Sequence, residues 1–70
     1  MRTAALRLVR LREVMSICGL SRSSIYVEVK GGRFPRPVAI SGRARAWVRH
    51  EVEAWAAQRI RASRAEHGDR

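Results

Sequence analysis

Acidic residues are scarce in this chain of 70. Six Asp and Glu stand against fifteen Lys and Arg, for a formal charge of +9 and a pI near 11.7. So lopsided a balance suggests a polyanionic partner, most often nucleic acid. Cysteine is nearly absent too. Cys18 is the single one, so no intramolecular disulfide can form, and no Cys/His spacing fits a zinc site. Cys18 reads as a small packed apolar residue. No apolar run approaches the ~20 residues needed to span a membrane. The segment from Met1 to Arg12 is basic, and Arg interrupts it too often for a signal peptide. A cytoplasmic chain is expected, at the nucleoid if bacterial. No Gly-rich phosphate loop is present. His50 and His67 lack partners at ligand spacing, and Glu51 and Glu53 point to different faces of a helix. With no catalytic constellation and one small domain, an enzyme, a cofactor and a metal are not expected. A chain this size buries only about 60% of its unfolded surface, leaving little frame for a pocket.

Arginine is what the sequence has instead. Fourteen of the fifteen basic residues are Arg, whose planar fork suits phosphate and guanine edges better than the point charge of Lys. Residues 1–10 read as an arm, with Leu6 and Leu8 alternating with Arg7 and Arg10 as a short extended piece against the core. A first helix is expected from about Leu11 to Cys18, with Val14, Ile17 and Cys18 on one stripe. Gly19 then ends it in positive φ, and Leu20 plugs the corner. Ser21 is a strong N-cap for a second helix from about Arg22 to Lys30. Ile25 and Val29 face inward from it. Gly31-Gly32 ends that helix, and Phe34-Pro35-Arg36-Pro37 cannot be helical. Val38 to Ile40 and Arg43 to Trp47 read as a hairpin around Ser41-Gly42. A third helix runs from about Arg49 into the low sixties, with Val48, Val52, Trp55, Ala56 and Ile60 as its stripe. Residues 63–70 are expected to fray as a flexible basic tail. The fold class is mainly α with a small β-hairpin, a winged helix-turn-helix over residues 11–62.

In that arrangement the second helix presents its N-terminus, which favours a phosphate. Ile25 and Val29 leave Arg22, Ser23, Tyr26, Val27 and Lys30 outside. Arg22, Ser23, Tyr26 and Lys30 are the expected DNA contacts on this helix. Arg36, Arg43 and Arg45 are the expected contacts from the wing, on a backbone or minor groove. The spacing of Arg43 and Arg45 puts both on one strand face. Ser24 tops up the cap. Ile25, Phe34, Trp47 and Trp55 read as core anchors, the two Trp as packing rather than as a stacking platform.

The string LREVMSICGLSRSSIYVEVKGGRFPRPV, followed by ISGRARAW and HEVEAW, resembles the AlpA-type regulators of prophages and related mobile elements. These belong with excisionase-like and MerR-like winged-helix proteins. The likeness runs from about Leu8 to Arg59. Its most specific pieces are Gly19-Leu20-Ser21, Ile25-Tyr26, Gly32 with Phe34-Pro35, Trp47, and Glu51-Val52 with Ala54-Trp55. The resemblance implies a DNA-binding transcriptional regulator that activates an integrase or excision programme. The position after the Tyr, often basic in the family, is Val27 here. The position before Phe34, often acidic or small, is Arg33, which moves positive charge toward the wing. Longer MerR-type relatives carry an effector domain; none is expected here.

The expected partner is therefore double-stranded DNA, read by the second helix in the major groove. A domain this small covers few base pairs, so self-association on repeated sites is expected, with contact to a recombinase or RNA polymerase as a further option. An alternative is an excisionase that bends DNA. A different class is a small protein-interaction adaptor or antitoxin, in which the third helix docks a partner and the Arg excess is incidental.

Overall fold

Gly19 leaves the first helix at φ 71°, ψ 20°, the left-handed region that glycine enters without a Cβ penalty, and its N–H reaches the Met15 carbonyl at 2.8 Å. That corner sets the course of the chain. A computed structural model describes residues 7–66. The elements run β1 (Leu8–Val9), α1 (Leu11–Cys18), α2 (Arg22–Lys30), β2 (Val38–Ser41), β3 (Ala44–Val48) and α3 (Arg49–Glu66). The result is a winged helix-turn-helix: three helices and a small antiparallel sheet of order β1-β3-β2. Of the expected arm and tail, residues 1–6 and 67–70 lie outside the described residues, and with them Leu6 and His67.

The arm contributes a strand of the sheet, but in the opposite phase to the one expected. β1 pairs with β3 in the register Leu8↔Val48 and Val9↔Trp47, and the Arg49 N–H continues the ladder to the Arg7 carbonyl at 2.7 Å. Directly paired residues share a sheet face, so Val9 goes in beside Trp47. Val9 is 5% exposed and Leu8 51%. The register is one residue out of step with the expected alternation, which sends the other set of side chains inward.

The hairpin shifts by one residue as well. Ser41 belongs to β2 and the turn is Gly42-Arg43, with Gly42 at φ 48°. Arg43 therefore sits in the turn and not on β3, so the shared strand face expected for Arg43 and Arg45 does not hold. The ladder pairs Val38↔Ala46, Ala39↔Arg45 and Ser41↔Ala44, with an irregularity between Ala39 and Ser41 that absorbs the extra residue Ile40.

The core is Val9, Val14, Ile25, Phe34, Trp47 and Val52, with Leu11, Met15, Ile17, Cys18, Leu20, Val29 and Trp55 packed against it. Two indoles tie the α2–β2 loop to this core. Trp47 Nε1 donates to the Pro35 carbonyl at 3.0 Å, and Trp55 Nε1 donates to the Arg33 carbonyl at 2.7 Å. Phe34, between those two carbonyls in sequence, is buried and edge-on to Trp55 at 4.8 Å. The loop begins at a double closure of α2. The Gly32 N–H reaches the Val29 carbonyl at 3.1 Å, and the Arg33 N–H reaches the Glu28 carbonyl at 2.9 Å. That pair of bonds is the Schellman pattern, and Gly32 supplies its left-handed residue at φ 77°.

α3 continues to Glu66, past the low sixties. Eighteen residues of helix span about 27 Å, more than this core can cover. Its stripe is satisfied at Val52, Trp55 and Ala56, whereas Ile60 is half-exposed and every residue from Gln58 to Glu66 is exposed. Val48 belongs to β3 and not to the helical stripe.

Trp47→Phe removes the donor to Pro35 and leaves a gap in a fully buried site. It should cost about 2–3 kcal/mol of unfolding free energy in urea. Trp55→Phe, at a half-buried position, should cost about 1 kcal/mol; equal losses would mean that Trp47 is not the principal tie. Half-burial raises the Cys18 thiol above its ordinary pKa by desolvation. At pH 8 Cys18 should thus alkylate more slowly in the folded chain than in urea. Equal rates in an iodoacetamide time course would contradict the packed position.

Candidate nucleic-acid interface

Ser21 builds the exposed start of α2. Its backbone is extended, at φ −75° and ψ 164°, and its Oγ accepts from the Ser24 N–H at 3.1 Å. The two hydroxyls are 3.0 Å apart and hydrogen-bonded. Ser24 is thereby taken up by the cap. Arg22, Ser23, Tyr26, Val27 and Lys30 remain exposed along the helix, whereas Ile25 is buried.

A groove of about 340 Å³ opens between the starts of α1 and α2 and the β2–β3 hairpin. Arg10, Arg12, Arg22, Arg43 and Arg45 line it together with Tyr26. Trp47 forms its floor, and the Tyr26 ring meets that indole edge-on at 6.2 Å and 62°. Tyr26 is therefore neither free nor covered: it packs on Trp47 and stays 40% exposed. Among the described residues no carboxylate lines the groove.

The arginines are partly held in place. Arg10 Nε donates to the Arg45 carbonyl at 2.9 Å, bracing α1 against β3. Arg45 Nη1 donates to the carbonyls of Gly42 at 3.1 Å and Ala44 at 3.4 Å. Each guanidinium keeps further N–H groups for a ligand. The arrangement can bind an oxyanion such as a phosphate through several forked donors and one phenol.

Of the residues expected to make contacts, four converge on this groove: Arg22, Tyr26, Arg43 and Arg45. Ser23 and Lys30 lie on the outer face of α2, and Arg36 is exposed in the α2–β2 loop; none of these three lines the groove. Arg33 does not carry charge toward the wing. Its Nε is bonded to Glu28 Oε1 at 2.8 Å, its guanidinium lies over Gly31, and it faces Trp55 and Arg59 of α3. Two lining residues went unnoticed in the sequence, Arg10 and Arg12. They flank Leu11 at the start of α1, and only the pairing of β1 with β3 brings that start beside the wing. Their spacing alone carries no signal of this. Gly19 and Ser21 sit in the turn and at the cap; Ile25, Phe34 and Trp47 are buried, and Trp55 is half-buried.

Among the described residues no group of three or more His, Cys, Asp and Glu could hold a metal ion, and no helix is long and apolar enough to cross a membrane.

A capped helix-turn-helix with a basic hairpin beside it defines the winged helix-turn-helix class. Within that class, residues 7–60 match the family described as "Prophage CP4-57 regulatory protein (AlpA)", and the chain belongs to this family. It is also 50% identical over 54 residues to "Uncharacterized protein ORF88" of Enterobacteria phage P4, a match covering 77% of this chain and 61% of that protein. The chain thus spans about three fifths of that relative's length. No solved structure matches it.

Ser21→Ala removes the oxygen that accepts from Ser24 and should lower stability by about 1 kcal/mol. Ser21→Asn should restore most of that loss in thermal unfolding. No loss in the Ala variant would mean that the cap is not holding the helix start.

Proposed function

We propose that this chain is a sequence-specific DNA-binding transcriptional regulator of an integrated mobile element. α2 enters the major groove with Arg22, Ser23, Tyr26 and Lys30 toward the DNA. The hairpin lies on the adjacent backbone or minor groove through Arg43 and Arg45, with Arg36 at its approach. Arg10 and Arg12 join them on phosphate.

One observation carries the reading: five arginines and Tyr26 surround a single groove at the capped start of α2, with no carboxylate among them. Membership of a prophage regulatory family supports it. Phosphate contacts supply most of the affinity in such a complex and make it salt-dependent. Contacts on α2 supply the preference among sequences, each worth about 1–3 kcal/mol. One domain covers few base pairs, so paired binding on repeated sites follows.

Fluorescence anisotropy of a labelled duplex from the region upstream of the gene tests this. With about five phosphates neutralised, log affinity should fall against log salt with a slope near −4.5. Arg22→Ala/Tyr26→Ala should abolish the preference for that duplex over a random one. Arg43→Ala should weaken both duplexes alike and flatten the slope by about one unit. Salt-sensitive binding with no preference, unchanged in the α2 variant, would leave only generic attraction and defeat the assignment.

A further inference from the structure

Val27 is the most exposed of the large hydrophobic side chains among the described residues, at 58%. It belongs to α2, and each helical residue advances about 100°. Two positions past the buried Ile25, Val27 stands about 200° around the helix, on the side facing away from the core. Ser23, four residues before it, and Lys30, three after, lie on the same ridge. Arg22 and Tyr26 flank that ridge on the wing side, where they line the basic groove.

Nothing within the fold explains an aliphatic residue there. Val27 is not part of the core cluster or of its half-buried surround. A β-branched side chain also lowers helix propensity, so Ala or Lys would suit an exposed position in a nine-residue helix better. Along its ridge Val27 is bracketed by the hydroxyl of Ser23 and the cation Lys30, and the carboxylate beside it, Glu28, is paired with Arg33; this argues against an apolar protein patch and for an anionic ligand with an apolar point in its middle. A DNA major groove has that character: phosphates border it, and the only apolar group on its base edges is the 5-methyl of thymine.

We propose that Val27 is a specificity-determining residue that packs on a thymine 5-methyl group when α2 lies in the major groove. This rests on the DNA-binding reading above and deepens it. Ser23 and Lys30 then bracket that thymine along the ridge, and the groove arginines fix the register on phosphate.

The test begins with a duplex enriched by the wild-type chain from a random pool. Each thymine in the enriched site is then replaced singly by uracil, which removes only the methyl group. At one position the wild type should weaken about fourfold, the transfer value of one buried methyl group. Val27→Ala should bind the thymine duplex more weakly and lose its sensitivity to uracil at that position. It should keep the same salt slope and unfold at the same or higher temperature, because Ala is the better helix former. That combination separates a reading role from a structural one.

Uracil insensitivity at every position, or an equal methyl effect in Val27→Ala, would overturn the assignment while leaving DNA binding intact. Loss of self-association in Val27→Ala by sedimentation, with uracil sensitivity unchanged, would instead make Val27 a contact between copies and also overturn it. Failure to enrich any duplex would defeat the DNA-binding reading and this inference together.

Discussion

An indole N–H buried without a partner forfeits its hydration and gains nothing in return. Trp47 is 0% exposed and escapes that penalty by donating to the Pro35 carbonyl at 3.0 Å. The bond does more than satisfy one donor. Pro35 lies in the irregular stretch between α2 and the wing, so the bond holds that stretch against β3. At the same residue β3 pairs with β1, where Val9 sits opposite Trp47, and the indole meets the Tyr26 ring of α2 edge-on. Arm, second helix, loop and wing therefore share one side chain.

Trp55 makes the second tie, from α3 to the Arg33 carbonyl, directly after the Gly32 closure of α2. Two carbonyls of one short loop, those of Arg33 and Pro35, are thus bonded to indoles on two different elements, which ties the path from α2 to the hairpin to the core. A domain of this length has few buried residues to spend on rigidity. Placing two Trp at the loop concentrates that rigidity between the two elements that flank the basic groove. The far half of α3 gets none of it and runs out into solvent with Ile60 half-exposed.

The parts of this fold that were legible in the sequence are those with local causes. Gly19, Ser21 and Gly31-Gly32 punctuate the chain through their own backbone and capping chemistry, and α1 and α2 have the bounds those residues announce. The strand errors have non-local causes. Whether Leu8 or Val9 faces inward depends on the register against β3, and two alternating apolar residues do not encode it. The turn moved from Ser41-Gly42 to Gly42-Arg43 because the ladder accommodates Ile40 as an irregularity. The groove was legible in part for the same reason. Arg22 and Tyr26 follow from helical phase, and Arg43 and Arg45 from the hairpin. Arg10 and Arg12 arrive only through the long-range pairing of β1 with β3, beside which Arg10 bonds to the Arg45 carbonyl 35 residues on. The course of Arg33 is not legible locally, because its partner, Glu28, lies across the helix end, five residues back.

Gathering five guanidinium groups around one groove is electrostatically unfavourable in the free chain, since like charges repel and no carboxylate is at hand. The hairpin reduces that cost with its own carbonyl groups. Arg10 is bonded to the Arg45 carbonyl, and Arg45 to those of Gly42 and Ala44. These neutral dipoles orient the cations without cancelling their charge, as a carboxylate would. An ion pair of that kind joins Glu28 of α2 to Arg33 of the following loop, and neither residue lines the groove. The one acidic residue of α2 is thus kept away from the face where an anion would sit. Backbone carbonyls hold Arg10 and Arg45 in place without cancelling their charge. The outer ridge of α2 carries one cation, Lys30, beside Ser23 and Val27, and is free to respond to shape and chemistry more than to charge.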